Sequence, residues 1–501
     1  MESPFSRRDA PAFLALGLMV AAVYYPALWG DFVWDDIVLV EEPAVRKWTG
    51  LSSLWFQPWT MGLENHYWPV VYTSFWLEHK LWGFAPLGYH VVNVLLHLVN
   101  SVLVWRLLLR LGVPAAWTVA ALFAVHPLRV ESVAWIIERK DLLSALFYLT
   151  AAVAWIRFVE APGRGRYVLA LALFIAGLLS KSVVVTLPVA LLIWHCWKRH
   201  GVTLVDLRRL VPFFAVGLCI TMADFLLYAS RVPLSLGYSM VERLLIAARA
   251  WWFYVGKLLW PTDLAVIYPL WEIRAGDPLA WAYVLAAAAL AMSLWFGRRW
   301  WGPGPLAGLL FYTVALSPML GFVDHNYMRY AFVADRFQYL AGIGVMAVLA
   351  GGGAVAAARL PGSLRMAAPC LVAAILTVLG VMTWSQAGIY RDGAAFFGHV
   401  VSQNPDARYA HLNLARALIK ANRPEDALAA ARVALEKLET RTELADAHDI
   451  RGRALLDLGR LDEAGEALRR ALELNPDHGK AHENMAEVLR RQSRYQENQK
   501  R

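Results

Sequence analysis

Charge is scarce in this chain. Only 17% of its 501 residues are Asp, Glu, Lys or Arg, while 58% are hydrophobic. Soluble domains carry roughly a quarter of their residues as charges. The mean hydropathy of +0.43 excludes an ordinary soluble globular protein. Apolar runs of about 20 residues, each long enough to cross a hydrocarbon core, recur instead; examples cover 11–29, 211–229, 281–296 and 366–381. Cysteine is scarcer still. Cys196, Cys219 and Cys370 fall in or beside apolar runs with no metal-ligand spacing, so they read as small core hydrophobes. No histidine–cysteine cluster supports a tight metal site. No basic stripe interleaved with aromatics appears either, which excludes a nucleic-acid partner as the reason for the net charge of +9. No small-residue cleavage motif follows the first apolar run, so that run is expected to be a retained helix rather than a signal peptide.

What is present orients a membrane protein. Most of the 23 tryptophans sit near expected span ends, as an aromatic belt requires. Arg7 and Arg8 precede the first span and put the N-terminus on the cytoplasmic side. Arg106 with Arg110, "RFVEAPGRGR" (157–166), "WKRH" (197–200) with Arg208 and Arg209, "GRR" (297–299) and Arg359 with Arg365 mark further inner loops. The outer loops are then the one around Asp35, 126–141, the Ser180–Lys181 turn, 230–240 and 321–338. Parity leaves the stretch 242–260 without a crossing, because it enters from outside and the next span must also start outside. Arg243, Arg249 and Lys257 within it agree with an interfacial or re-entrant helix. The expected fold is all-α, a polytopic membrane domain of about eleven spans over 1–389.

From Tyr390 onward the apolar runs stop and charge becomes dense. Ala415, Ala427 and Ala434 set a spacing that Gly452, Ala464 and Ala471 repeat, and Ala486 follows Gly452 by one repeat length. "GRLDEAGEALRRALELNP" (459–476) resembles the tetratricopeptide repeat, with Gly459 at the inter-helix turn and Pro476 ending the second helix. Residues 390–501 are therefore expected to form a short repeat tail on the outer side, suited to docking proteins.

The outer loops gather the polar chemistry. "DFVWDDIVLV" (31–40) supplies Asp35 and Asp36, framed by Phe32 and Trp34, which are expected to seat the loop in the interface. Glu64, His66 and Tyr67 follow before "WPVVYTSFW". The second loop supplies His126, Arg129, Glu131, Glu138, Arg139, Lys140 and Asp141; Lys181 lies in "LLSKSVVVTLP"; the last supplies Asp324, His325, Arg329, Asp335 and Arg336. Carboxylates and cations from four loops thus meet at one membrane surface, where ionisable groups are costly. A reaction on an anionic lipid headgroup needs that mixture: cations neutralise a phosphate leaving group, and a carboxylate deprotonates an incoming hydroxyl. An aspartate pair also suits a divalent ion through oxygen ligands, so a metal requirement stays open. Each feature has a structural reading beside the functional one. The aspartates suit a solvated loop, "ERKD" (138–141) a charged helix start, and Lys181 a snorkelling span end. His90, Asn93, His97 and Asn100 share one face of the second span and are expected to make inter-helix hydrogen bonds. Asp224, within the seventh span, is hard to explain as packing alone.

"FVWDD" (32–36), "YWPV" (67–70), "GYHVVNVLLH" (88–97), "HPLRVESVAWIIERKDLLSALFYL" (126–149), "LLSKSVVVTLP" (178–188) and "VADRFQYLAGIG" (333–344) occur in this order. Together they resemble the transmembrane and tetratricopeptide-repeat family, whose eukaryotic members are protein O-mannosyltransferases. The resemblance runs through essentially the whole chain and implies a C-type glycosyltransferase fold with a polyprenyl-phosphate sugar donor. It also implies an acidic base in the first outer loop, at Asp35 or Asp36, with Asp36 the expected one. Arg139, Lys181 and Arg336 correspond to the basic residues facing the lipid phosphate, and His126, Glu138 and Asp335 complete the expected substrate-binding set. Two departures stand out: the repeat tail is short, and Trp68 replaces a family arginine. The reading is an inverting glycosyltransferase of a bacterial inner membrane with a periplasmic tail. It would move a mannose-like sugar to a hydroxyl acceptor, expected to be a protein, with lipid and tail-bound protein as partners. The rival is a non-catalytic membrane scaffold recruiting partners through the repeats.

Overall fold

The computed structural model describes residues 9–60, 62, 65–199, 201–232 and 235–500. Arg7, Arg8 and Glu64 lie outside the described residues. Among those residues every regular element is a helix, with no strand. Five of the described helices are long and apolar enough to cross a membrane: Pro86–Arg110, Ile136–Glu160, Leu204–Arg231, Pro278–Trp301 and Arg365–Arg391. Five shorter apolar helices accompany them: Ala10–Val23, Ala116–Val125, Ser182–Lys198, Gly304–Met319 and Gly342–Ala357. The remaining expected span corresponds to Arg164–Leu178, a helix packed against Arg139–Glu160. Local sequence sets the boundaries. Thr203 and Asp206 form a reciprocal capping box at the start of Leu204–Arg231. Pro86 and Pro278 occupy the first turns of their helices, where a missing N–H costs nothing.

Burial sorts the spans. Ile136–Glu160 has 67% of its apolar window buried and is the centre of the bundle; Pro278–Trp301 has none and faces outward. Gly304–Leu316 and Gly342–Ala357 cross at backbone contact, because a Cβ on Gly344 would meet the Gly308 carbonyl oxygen at 2.4 Å. Small residues allow that approach where no hydrophobic force separates protein from lipid. The three cysteines are not core residues as expected. All are exposed on the protein surface, on the outward sides of their helices. An apolar thiol has no reason to be buried when the solvent is hydrocarbon.

Of the expected stripe, Asn93, His97 and Asn100 make inter-helix bonds. Asn93 Nδ2 donates to the carbonyls of Val133 (3.2 Å) and Ile136 (3.3 Å). Asn100 Nδ2 donates to Leu142 O at 2.9 Å, and His97 meets the Tyr339 hydroxyl at 2.8 Å. Met240–Leu259 is opened by its own capping box, Ser239 with Glu242, and is not among the helices apolar enough to span. Near its start Arg243 donates to Asp324 and to Gly321 O; near its end the Leu258 carbonyl meets His126 Nε2 at 3.1 Å. Both ends therefore touch loops assigned to the outer side.

The chain divides into two compact units. The first comprises 1–266 and 270–388; the second comprises 267–269 and 389–501. The second is a stack of helices: Gly393–Gln403, Arg408–Lys420, Pro424–Lys437, Arg441–Asp457, Leu461–Leu474 and Gly479–Lys500. Ala415, Ala427, Ala434, Ala464 and Ala471 are fully buried between paired helices. A Cβ on Gly452 would meet Leu468 Cγ at 2.6 Å, so any larger residue there requires Leu468 to shift. Gly459 takes φ +75 at the inter-helix turn, and Asn422 fills the matching turn of the first repeat at φ 56. Ala486 departs from the pattern and is exposed. Ala481 and Val488 of the same helix supply its core contacts instead.

Candidate active site

The first outer loop returns to the protein rather than lying loose in the interface. Phe32 packs edge-on against Tyr89, with centroids 5.4 Å apart, and Trp34 stacks on Trp135 at 5.4 Å. Trp34 itself adopts φ 47, a conformation that bulky residues rarely hold. The tryptophan stack and the residue two places on retain it. Asp36 is completely buried; its Oδ2 accepts from Val33 N–H at 3.0 Å and its Oδ1 from Ile137 N–H at 2.8 Å. Asp36 therefore clasps the first outer loop to the segment carrying Glu138. Burial pushes its carboxyl well above the usual carboxylate range, against the pull of those two hydrogen bonds. Asp35 begins the helix Asp35–Glu41 and is half-buried. The expected base is Asp35 or Asp36, with Asp36 favoured; of the two, Asp36 is the buried one and Asp35 the half-buried one. Both Asp36 oxygens are thus already committed to backbone N–H groups inside the protein.

Beyond Trp135 lies a network of opposite charges. The Trp135 ring that carries Trp34 also lies 5.4 Å from the Arg336 guanidinium carbon. Arg336 pairs with Glu131, whose Oε2 also accepts from the Arg336 backbone N–H at 2.9 Å. Its Nε lies 3.3 Å from Glu138, which is 3.3 Å from Lys140 Nζ. Lys181 pairs with Asp141, and Ser132 Oγ donates to the same carboxylate at 3.0 Å. Burial opposes the Arg336 charge, yet Glu131 and Glu138 outweigh it and hold its pKa above the ordinary arginine value. Asp335 is buried on the same turn. Between Lys181, Arg336 and Asp141 is a small cavity of about 20 Å³, room for roughly one water molecule. Three cations and three carboxylates thus sit together in an otherwise apolar body, each paired with the other sign.

Two expected substrate contacts are placed elsewhere. Arg139 is fully buried, pairs with Glu78, and donates to Asn93 Oδ1 (2.7 Å) and Tyr89 O (2.8 Å). Its guanidinium also lies 4.5 Å from the centre of the Phe75 ring. It ties three helices together and does not join Lys181 and Arg336. His126 is likewise engaged: Nε2 faces Leu258 O and Nδ1 accepts from Leu128 N–H at 3.3 Å. Burial, then Arg129, lowers its pKa to about 3, so the ring is neutral. The partner that sequence reasoning missed is Glu78, a lone carboxylate in the apolar stretch "FWLEHKLW". Among the described residues no group of three or more His, Cys, Asp or Glu side chains is placed to hold a metal ion.

Comparison with known proteins divides along the same lines. The family model described as dolichyl-phosphate-mannose-protein mannosyltransferase matches residues 67–228, and a tetratricopeptide-repeat model matches 385–441 and 451–498. Protein O-mannosyl-transferase Tmtc1 of Drosophila melanogaster is 33% identical over 198 residues, covering 37% of this chain and 23% of that protein. Protein O-mannosyl-transferase F38B6.6 of Caenorhabditis elegans is 28% identical over 282 residues, 51% of this chain and 40% of its own length. Human TMTC4, carrying the same description, is 30% identical over 231 residues, 41% of this chain and 30% of that protein. The match therefore spans less than half the length of each of these relatives. A crystal structure of ArnT from Cupriavidus metallidurans bound to undecaprenyl phosphate aligns over 93% of this chain and 80% of that one. It does so at 16% identity with a TM-score of 0.38. The chain is thus similar in sequence to the protein O-mannosyltransferases over part of its membrane unit, and a tetratricopeptide-repeat segment follows.

Proposed function

We propose that the chain is an inverting membrane glycosyltransferase that moves a mannose-like sugar from a polyprenyl phosphate to a hydroxyl group on the extracytoplasmic face. One observation carries the reading. Asp35 stands half-buried beside a Trp34–Trp135 stack whose far member also carries Arg336, with Lys181 and Lys140 in the same network. A candidate base and a set of cations for a leaving phosphate are thereby held together at the end of the central span. The similarity to protein O-mannosyltransferases supports the same chemistry and a protein acceptor.

Asp35 takes the proton of the acceptor hydroxyl, whose oxygen attacks the anomeric carbon of the donor. The bond from that carbon to the phosphate oxygen breaks, and its electron pair leaves with the polyprenyl phosphate. Lys181 and Arg336 stabilise the charge that appears there, and buried cations do so more strongly than in water. Glu131, Glu138 and Asp141 keep those cations in place between turnovers. The repeat unit receives the protein acceptor on the periplasmic side of a bacterial inner membrane.

The test is transfer from polyprenyl-phosphate mannose to a serine- and threonine-rich peptide by the purified chain in lipid nanodiscs. Transfer that falls in Asp35→Asn is expected. A wild-type protein that binds partner proteins through its repeats yet transfers nothing from this donor would establish the scaffold instead.

A further inference from the structure

A second cluster lies outside the network just described. Asp224 sits in the apolar helix Leu204–Arg231 with its side chain 6% exposed, an expensive place for a carboxylate. Three groups from two other segments meet it. Tyr67 N–H donates to Oδ1 at 2.7 Å, Ser182 Oγ donates to Oδ2, and His66 Nδ1 lies 3.2 Å from Oδ2. The first two contacts would suffice to anchor a loop and a turn to the helix. The third fixes a histidine. The His66 ring is clamped between Trp68 (4.2 Å, 4°) and Tyr228 (4.7 Å, 19°), so both faces are covered. With Nδ1 committed to the carboxylate, only the Nε2 edge is left, and the side chain is 30% exposed. A carboxylate that fixes one ring nitrogen and leaves the other open is the arrangement of a histidine that moves protons.

Its neighbours say which proton. Lys140 Nζ lies 5.4 Å from the centre of the Trp68 ring on which His66 stacks. Ser182, on the same carboxylate, is the residue after Lys181. His66 thus stands on the cation side of the site, whereas Asp35 lies across Trp34 and Trp135. We propose that His66, oriented by Asp224, is the acid that protonates the departing phosphate; the assignment rests on the glycosyl-transfer reading above. As the bond between the anomeric carbon and the phosphate oxygen breaks, the electron pair passes to that oxygen. The Nε2–H proton of the imidazolium follows it there, while the Nδ1–H stays on Asp224. The products are the glycosylated acceptor, a polyprenyl phosphate carrying one more proton, protonated Asp35 and a neutral His66. Exchange with water returns the proton from Asp35 to the outer medium and one to His66.

The experiment uses the full chain in nanodiscs with polyprenyl-phosphate mannose as donor. His66→Ala opens an imidazole-sized slot between Trp68 and Tyr228. Turnover should fall on the order of a hundredfold, with the donor KM little changed. Added imidazole should restore it in a concentration-dependent way. His66→Gln, which fills the slot, should be equally slow and not restored. Wild-type turnover in either variant overturns the proposal. So does a loss in folded His66→Ala that imidazole does not restore, since that makes His66 a packing residue. Should His66→Ala fail to fold, His66→Gln alone decides: a fall in kcat at constant donor KM supports the proposal, and a rise in KM alone overturns it. A wild-type chain without transfer overturns the glycosyltransferase reading itself, a different result from an active wild type matched by its His66 variants.

Discussion

Adjacent in sequence, Asp35 and Asp36 end in different surroundings, and their asparagine variants should differ accordingly. Asp35→Asn removes the candidate base while keeping its shape, and turnover should fall by about a hundredfold or more with donor binding kept. Asp36→Asn leaves one of the two backbone donors, Val33 or Ile137, facing an amide N–H instead of an oxygen. Each buried donor left unsatisfied costs about 1–3 kcal/mol, so its main effect should be a lower Tm in detergent. Equal loss of turnover at equal Tm in the two variants would refute this division. His126 offers a pH test. Its folded pKa is lowered to about 3 by burial, whereas an unfolded histidine titrates near 6.5. The folded state therefore takes up its proton less readily than the unfolded one. The stability His126 contributes is fully present above about pH 6.5 and is lost as pH falls from there towards 3, by about 2 kcal/mol at pH 5. His325, lowered to about 4, works in the same direction. Thermal melts between pH 7.5 and 5 should show Tm falling with acid. His126→Gln should start lower and fall less steeply.

At the scale of the element, hydrophobic runs and basic clusters made the spans legible, and alanine spacing made the repeats legible. Those signals are local. The site was legible only as a collection: the loops that carry Glu138, Lys181, Asp335 and Arg336 could be named, and which cation meets which carboxylate could not. Arg139 and Lys140 are neighbours in sequence, yet one turns to Glu78 across the bundle and the other to Glu138. Nor could spacing show that Trp34 would hold a left-handed backbone to place Asp35, because that conformation depends on Trp135, about 100 residues away. The helix Met240–Leu259 joins local and distant signals. Charge parity predicts that it does not cross, and Arg243 and Leu258 contact outer loops at its two ends. Single cysteines at Met240 and Thr262 should therefore both react with an impermeant thiol reagent in intact cells. The native Cys196, Cys219 and Cys370 are surface residues and must first be replaced. Labelling of one site only after permeabilisation would mean that the helix spans.

For the whole molecule, the question is what separates its two compact units in function. Asp35, Asp36 and the Glu131–Arg336–Glu138 network all belong to the first unit, as do His66 and Asp224. The second has its own cores, one around Ala415, Ala431 and Ala434 and another around Ala464, Leu468 and Ala471. A repeat array is stabilised by contacts between neighbouring repeats, so it can present a binding face without supplying chemistry. Removal of 390–501 should therefore leave the Asp36 clasp and the cation network assembled. Transfer from polyprenyl-phosphate mannose to a short soluble peptide should survive within a few-fold. Transfer to a folded protein acceptor should drop through KM, because the lost interaction is one of uniform binding rather than of the transition state. The thermal melt of the truncated membrane unit, with its acid dependence through His126 intact, reports whether the unit is still folded. Loss of transfer to the short peptide in a truncated protein that melts normally would place part of the chemistry in the repeats. The two units would then have to be treated as one enzyme.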